Sequence, residues 1–198
     1  MKVLFATTNP AKIKYYAEEL KKRNIDIITL KDLNINLDVE ETGKDAVENA
    51  TLKATAYYNL VKIPTIAIDD NLYLEGLSQE NQPGVNVRRV NGKRLTDDEM
   101  IEYYSNLVQK NGGKIKAKWV KGIAIYNGKN VKTFTYSRSS FYFIDKPSDK
   151  KHEGYPLDSI AIIPEYNKYL TELTEKENEE YKKQSSNKEV FDFMMNNL

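Results

Sequence analysis

The chain has 198 residues, 40% hydrophobic and 30% charged, a length suited to one globular domain that buries a full core. Thirty lysines and arginines against 29 aspartates and glutamates leave a formal net charge of +1, which argues against the broad basic footprint of a nucleic-acid polymer binder and leaves room for a local basic pocket. There is no cysteine, so disulfide scaffolds, thiolate metal sites and cysteine nucleophiles are excluded.

In chain order, Val3–Ala6 is a short apolar run that reads as a buried strand ending at Thr7-Thr8-Asn9. The run is too short for a signal peptide, and no stretch approaches the ~18–20 apolar residues of a membrane span; the expectation is a soluble, cytoplasmic protein with no membrane partner. Asn9 is a good N-cap and Pro10 suits the first helical position. Ile13, Tyr16, Ala17 and Leu20 then mark one helix face, and Asp26–Leu30 reads as a second strand. Asp45–Leu60 reads as a helix with Val47, Ala50, Ala54 and Tyr57 or Tyr58 inward. Thr65–Ile68 is a strand running into Asp69-Asp70 at its carboxyl end. Thr96-Asp97-Asp98-Glu99 and Thr174-Glu175-Lys176-Glu177 are capping boxes that each predict a helix start. From Ala117 to Phe143 the pattern is β, with Asn127-Gly128 marking a hairpin between Ile123–Tyr126 and Val131–Phe134. A last amphipathic helix carries Val190, Phe191, Met194 and Met195. The sum is an α/β fold with a mixed sheet and an antiparallel section in the second half. The tyrosine pairs Tyr15-Tyr16, Tyr57-Tyr58 and Tyr103-Tyr104 fall at amphipathic helix positions and read as packing, not as stacking on nucleic acid.

The single histidine, His152, lies in the charged stretch Lys150-Lys151-His152-Glu153 and reads as a surface residue. Acid–base work then falls mainly to carboxylates and lysines, and a metal to an all-oxygen site suited to Mg²⁺ or Mn²⁺. The first candidate is the turn Thr7-Thr8-Asn9-Pro10-Ala11-Lys12, where a helix N-terminus and a lysine favour a phosphate chain. Taken alone, the segment reads more readily as an ordinary capped helix with a solvated lysine. Glu40-Glu41-Thr42-Gly43 and Asp69-Asp70 are acidic turns that suit a Mg²⁺–phosphate arrangement, or simply cap the adjoining backbone. Lys53, and Arg88 in the loop after Pro83-Gly84, are uninformative alone. In Gly154-Tyr155-Pro156-Leu157-Asp158-Ser159-Ile160 a ring and a carboxylate flank a rigid turn and could meet a base, or pack.

Taken in order, the segments resemble the inosine triphosphate pyrophosphatase family from Val3 to about Thr174. Thr7–Lys12 is similar to its T-G-N-x-x-K loop, Glu40–Gly43 and Glu48–Ala54 to its E-x-x-G and E-N-A-x-x-K-A segments, and Ile68–Leu72 to its D-D-S-G-L. Pro83-Gly84 with Arg88, Gly154–Ile160 and Thr171–Thr174 resemble its P-G turn and cation, its G-F-G-Y-D-P-I and its A-E-L-T. The resemblance implies hydrolysis of a deaminated purine nucleoside triphosphate to monophosphate and pyrophosphate, Mg²⁺ (or Mn²⁺) as cofactor, and a homodimer. It implies an elongated mixed sheet flanked by helices, with a nucleotide cleft between two lobes of one domain over residues 1–198, the second lobe rich in antiparallel strands from about 115 to 145. Carried over by position, Glu40 and Asp69 hold the metal, and Asp69 or Asp70 activates water, with Lys53 in the catalytic set. Thr7, Thr8, Asn9, Lys12, Lys53, Asp70 and Arg88 hold the triphosphate, while Tyr155 and Asp158 face the base. The chain departs from the pattern at Thr8, at Ile68 and Asp70, and at Leu157, while a one-residue gap would instead align Asp69-Asp70 with the acidic pair. The family's S-H-R motif has no good match; Ser186-Asn187-Lys188 is the nearest candidate, making Lys188 the expected base-side cation, and ungapped alignment gives Lys182-Lys183-Gln184 instead. The triphosphate end is thus better preserved than the base reader, and an altered or relaxed base preference is expected; the alternatives are a pyrophosphatase for a different modified nucleotide and a non-catalytic nucleotide-binding protein on the same fold.

Overall fold

The computed structural model describes residues 1–137, 140–184 and 188–198, the side chains of 182–184 excepted. These residues form two compact units. The first comprises residues 1–71, 120–136 and 188–198; the second comprises 72–119 and 137–187. The third and sixth strands contribute residues to both.

In the first unit, β1 (Lys2–Phe5) pairs in parallel with β2 (Asp26–Thr29) on one side and with β3 (Thr65–Leu74) on the other. Next to β3 lies β6 (Lys114–Tyr126), and next to that β7 (Val131–Ser137). Helix α1 (Pro10–Lys21) starts as expected, with the Asn9 side chain accepting from the N–H groups of Ala11 at 2.9 Å and Lys12 at 3.3 Å. Helix α2 (Ala46–Val61) is capped by Asp45, whose carboxylate accepts from Val47 and Glu48. At the other end Lys62 takes a left-handed conformation. The final helix, α5 (Lys188–Asn197), buries Val190, Phe191 and Met194 and leaves Met195 outside.

Strand alternation divides this unit into two cores. Val3, Phe5, Ile66, Ile68, Ile123 and Ile125 point to one face and pack on Tyr16 and Leu20 of α1 and on α5. Leu4, Ala6, Ala67 and Ala124 point to the other and pack on Ala50, Ala54 and Tyr57 of α2. The alanines on both surfaces let α2 approach the sheet closely. Gly122 carries this furthest: a Cβ there would lie 2.2 Å from the Ala46 backbone.

The second unit is antiparallel. The first part of β6 pairs with β8 (Phe141–Ile144), β8 with β9 (Ala161–Ile163), and β9 with β10 (Lys168–Tyr169). A short ribbon of β4 (Arg89–Val90) and β5 (Lys93–Arg94) precedes α3 (Asp97–Lys110). Both capping boxes form: Thr96 and Glu99 exchange hydrogen bonds at the start of α3, and Thr174 and Glu177 do so before α4 (Glu175–Gln184). The core gathers Leu72, Leu74, Tyr104, Phe143, Leu157 and Ile160. With the parallel pairs around β1, these ladders make the mixed α/β sheet read from the sequence. Tyrosine packing also holds, since Tyr15–Tyr16 and Tyr103–Tyr104 form edge-on ring pairs with centroids 4.9 and 5.1 Å apart.

The hairpin forms where it was expected, with residues 127–130 between β6 and β7 and Gly128 at φ 93°. One expectation is corrected. Asp69 and Asp70 do not end a strand. β3 continues to Leu74, because Leu72 and Leu74 bury their side chains in the second unit.

Candidate active site

That continuation decides the geometry of the acidic pair. Successive strand residues face opposite sides, so Asp70 shares the α1 face with Ile66 and Ile68, and Asp69 shares the α2 face with Ala67. The two carboxylates therefore belong to two separate charge clusters.

On the α2 face, Asn49 and Lys53 lie one turn apart on the helix and both reach Asp69. Lys53 Nζ is 2.8 Å from Asp69 Oδ1 and 3.0 Å from Glu41 Oε1. Asn49, 1% exposed, donates from Nδ2 to Asp69 Oδ2 at 3.1 Å and accepts the Gly43 N–H at 2.7 Å through Oδ1. Gly43 has to be glycine because a Cβ there would lie 2.6 Å from Asn49 Oδ1. The loop bearing Glu40 and Glu41 is also tied down by Tyr57, whose hydroxyl donates to the Leu37 carbonyl at 2.7 Å.

On the α1 face, Lys12 Nζ lies 2.5 Å from Asp70 Oδ2, and Lys121 from β6 pairs with Asp70 Oδ1. All three side chains are largely buried, with 14% of Lys12, 18% of Asp70 and 14% of Lys121 exposed. Burial works to raise the Asp70 carboxyl, but attraction to Lys12 and Lys121, with a hydrogen bond from each, outweighs it and holds the group well below the usual carboxylate range. Burial likewise works to lower Lys12, yet Asp70 first, then Asp69 and Glu41, keep its ammonium above the ordinary lysine value.

The expected phosphate loop sits at the end of β1. Thr7 Oγ1 accepts the Asn9 N–H at 3.2 Å, and Thr8 is exposed. Thr8 is not among the residues with positive φ, so a side chain in place of glycine costs no backbone strain there. Glu40, the expected metal ligand, is exposed, while its neighbour Glu41 reaches Lys53.

The remaining expected residues have other surroundings. Arg88 pairs with Asp97 at 2.7 Å and donates to the Leu95 carbonyl at 3.2 Å, bracing the approach to α3. Tyr155 precedes the 3-10 turn Pro156–Ile160, in which Leu157 is buried and Asp158 is partly exposed. His152 keeps 39% of its side chain exposed, as expected of a surface residue, and its Nδ1 lies 3.0 Å from Asp158 Oδ2. Lys188 opens α5 and is exposed; Ser186 and Asn187 lie outside the described residues, as do the side chains of Lys182, Lys183 and Gln184. Sequence reasoning missed Asn49 and Lys121. Asn49 lay inside a motif and its burial position was readable from the helix spacing. Lys121 had no local signal, since only the pairing of β6 with β3 brings it to Asp70.

A model of the Ham1 family matches residues 3–188. The chain belongs to the Ham1 family. A dITP/XTP pyrophosphatase of Aquifex aeolicus is 33% identical over 186 residues, covering 89% of this chain and 88% of the relative. One of Bacillus subtilis is 30% identical over 177 residues, covering 88% and 86%. Among solved structures, the Staphylococcus aureus Ham1 protein aligns over 99% of both chains with a TM-score of 0.77 at 24% identity, which shows the shared fold. A HAM1 protein from Coxiella burnetii aligns over 93% of this chain and 94% of its own with a TM-score of 0.75 at 25% identity. The resemblance to inosine triphosphate pyrophosphatases read from the sequence is thereby borne out. No helix among the described residues is long and apolar enough to cross a membrane.

Proposed function

We propose that this Ham1-family chain hydrolyses deaminated purine nucleoside triphosphates such as dITP, ITP and XTP to the monophosphate and pyrophosphate, with Mg²⁺ as cofactor. The observation that carries the reading is the split of the acidic pair. The α1 face holds two ammoniums on one carboxylate, and the α2 face two carboxylates on one ammonium. A positive cluster beside a helix N-terminus suits phosphate oxygens, and a negative cluster suits a hard cation.

The donor set fits Mg²⁺. Among the described residues no group of three or more Asp, Glu, His or Cys is placed to hold a metal. Mg²⁺ does not require one, because it keeps waters and is bound through one or two carboxylates plus substrate phosphates. Asp69 with Glu41 or Glu40 would supply those oxygens. When bound, the ion supplies charge neutralisation on the phosphoryl oxygens.

Asp69 is the better candidate for the base. A base works best with a pKa near the operating pH, and Asp70 is held strongly acidic with both oxygens on ammoniums. Asn49 and Lys53 fix the Asp69 carboxylate from two directions. Its remaining lone pairs accept the proton of a water that adds at phosphorus, as the bond joining the α- and β-phosphates breaks and pyrophosphate leaves. Positioning and charge neutralisation carry most of such a reaction. Thr7, Thr8, Asn9, Lys12 and Lys53 serve the triphosphate, and Arg88 is a further cation for it. Tyr155, Asp158 and Lys188 are the candidates at the base. Because the S-H-R motif lacks a match, discrimination against dGTP is relaxed in this proposal. A homodimer in the cytoplasm completes the reading, and light scattering checks the dimer.

The test is a panel of ITP, XTP, dITP, dGTP and dUTP with Mg²⁺ and product analysis. Monophosphate plus pyrophosphate from the deaminated purines, with measurable turnover of dGTP, is expected. Saturable binding without pyrophosphate release overturns hydrolysis, and strict preference for the deaminated purines overturns relaxed discrimination.

A further inference from the structure

Lys121 is left over from the motifs. It stands on β6, far in sequence from every segment that carries the family resemblance, yet its ammonium shares Asp70 with Lys12. Asp70 thus holds two ammoniums whose side chains are each only 14% exposed. Lys12 stands in the first turn of α1, which adds the positive end of a helix of 12 residues beside them. The α2 face carries the complementary set, Asp69 and Glu41 on Lys53, and Lys12 is attracted by Asp69 and Glu41 as well as by Asp70.

We infer that Lys121 is a phosphate-binding residue for the triphosphate chain, and that Asp70 is the positioning residue that holds Lys12 and Lys121 side by side. This rests on the nucleoside triphosphate reading above. Asp70 presents its two oxygens to two ammoniums, so both cations are already in place when substrate arrives. Such preorganisation avoids ordering two long side chains during binding. The same pairing accounts for a carboxylate at this largely buried position: Lys121 supplies a charge that Asp70 requires.

The experiment uses the full chain and inorganic tripolyphosphate, a probe without a base and independent of turnover. Titration calorimetry is run on wild type, Lys121→Met, Lys121→Arg and Asp70→Asn/Lys121→Met, each checked for folding by circular dichroism. The double variant removes the ammonium without stranding the carboxylate. Loss of a charge-assisted contact predicts roughly a 10- to 100-fold weaker affinity for both Met-containing variants, partly restored in Lys121→Arg. KM for dITP should rise by a similar factor with kcat changed much less. Wild-type affinity in both folded Met-containing variants, or no tripolyphosphate binding by wild type, overturns the inference. If affinity falls as stated while wild type hydrolyses no nucleotide, the inference stands and the hydrolytic reading fails. If wild type hydrolyses dITP and the folded Met-containing variants bind and turn over as it does, the hydrolytic reading stands and the inference fails.

Discussion

Replacing Asp70 by Asn should destabilise the folded chain by about 3–5 kcal/mol, the usual cost of removing one partner from a buried ion pair. The figure follows from the burial of all three members: with 14–18% of each side chain exposed, water screens little of the repulsion between Lys12 and Lys121 once the carboxylate is gone. Removing the second ammonium as well, in Asp70→Asn/Lys121→Met, should recover about half of that loss, since the pair then disappears together. Urea unfolding followed by the fluorescence of the single tryptophan, Trp119, measures both. The dependence on pH has a definite sign. The Asp70 carboxyl is depressed in the folded chain from an ordinary value of 3.8, so its contribution is complete above that value and is lost as pH falls below it. The gap between wild type and Asp70→Asn should therefore be constant from pH 7 to about 5 and shrink only below about 4. A gap under about 1 kcal/mol, or one that closes between pH 7 and 5, refutes the account of Asp70 as a carboxylate locked between two ammoniums.

Other substitutions have equally definite outcomes. Asn49→Ala removes a donor to Asp69 and the acceptor of the Gly43 N–H, and should lower kcat for dITP roughly 10- to 100-fold in steady-state assays. Gly43→Ala puts a methyl within 2.7 Å of the Asn49 backbone and should lower kcat in the same direction, with thermal melting showing a folded protein. Gly122→Ala forces α2 away from the sheet and should cost about 1–3 kcal/mol in urea unfolding. Asp158→Ala should raise KM for dITP while leaving tripolyphosphate affinity at the wild-type value, a split that calorimetry and kinetics together read.

Much of the fold was legible because its signals are local. Asn9-Pro10, Asp45 and the two Thr-x-x-Glu boxes start helices where side-chain oxygens meet free N–H groups, and each does so in the structure. The end of β3 was not legible. Asp69-Asp70-Asn71 looks like a stop, and only Leu72 and Leu74 packing in the second unit carries the strand through it. That extension in turn sends the two aspartates to opposite faces, which no local rule foretold. For the site, Lys12, Lys53 and Asp69 were readable as motif positions, whereas Lys121 depends on strand order and Glu41 on how the loop after Leu37 is tied to Tyr57. His152 was read from its charged neighbours, but the turn beyond it brings Asp158 back to the ring.

The central claim is that Asp69, held by Asn49 and Lys53, serves hydrolysis of a nucleoside triphosphate. Pyrophosphate release from dITP with Mg²⁺ by wild type and Asp69→Asn tests it most directly. The account predicts release by wild type and a loss of roughly a thousandfold or more in kcat in the folded variant, on the scale of removing a positioned catalytic group. Release by Asp69→Asn within about tenfold of wild type would contradict it.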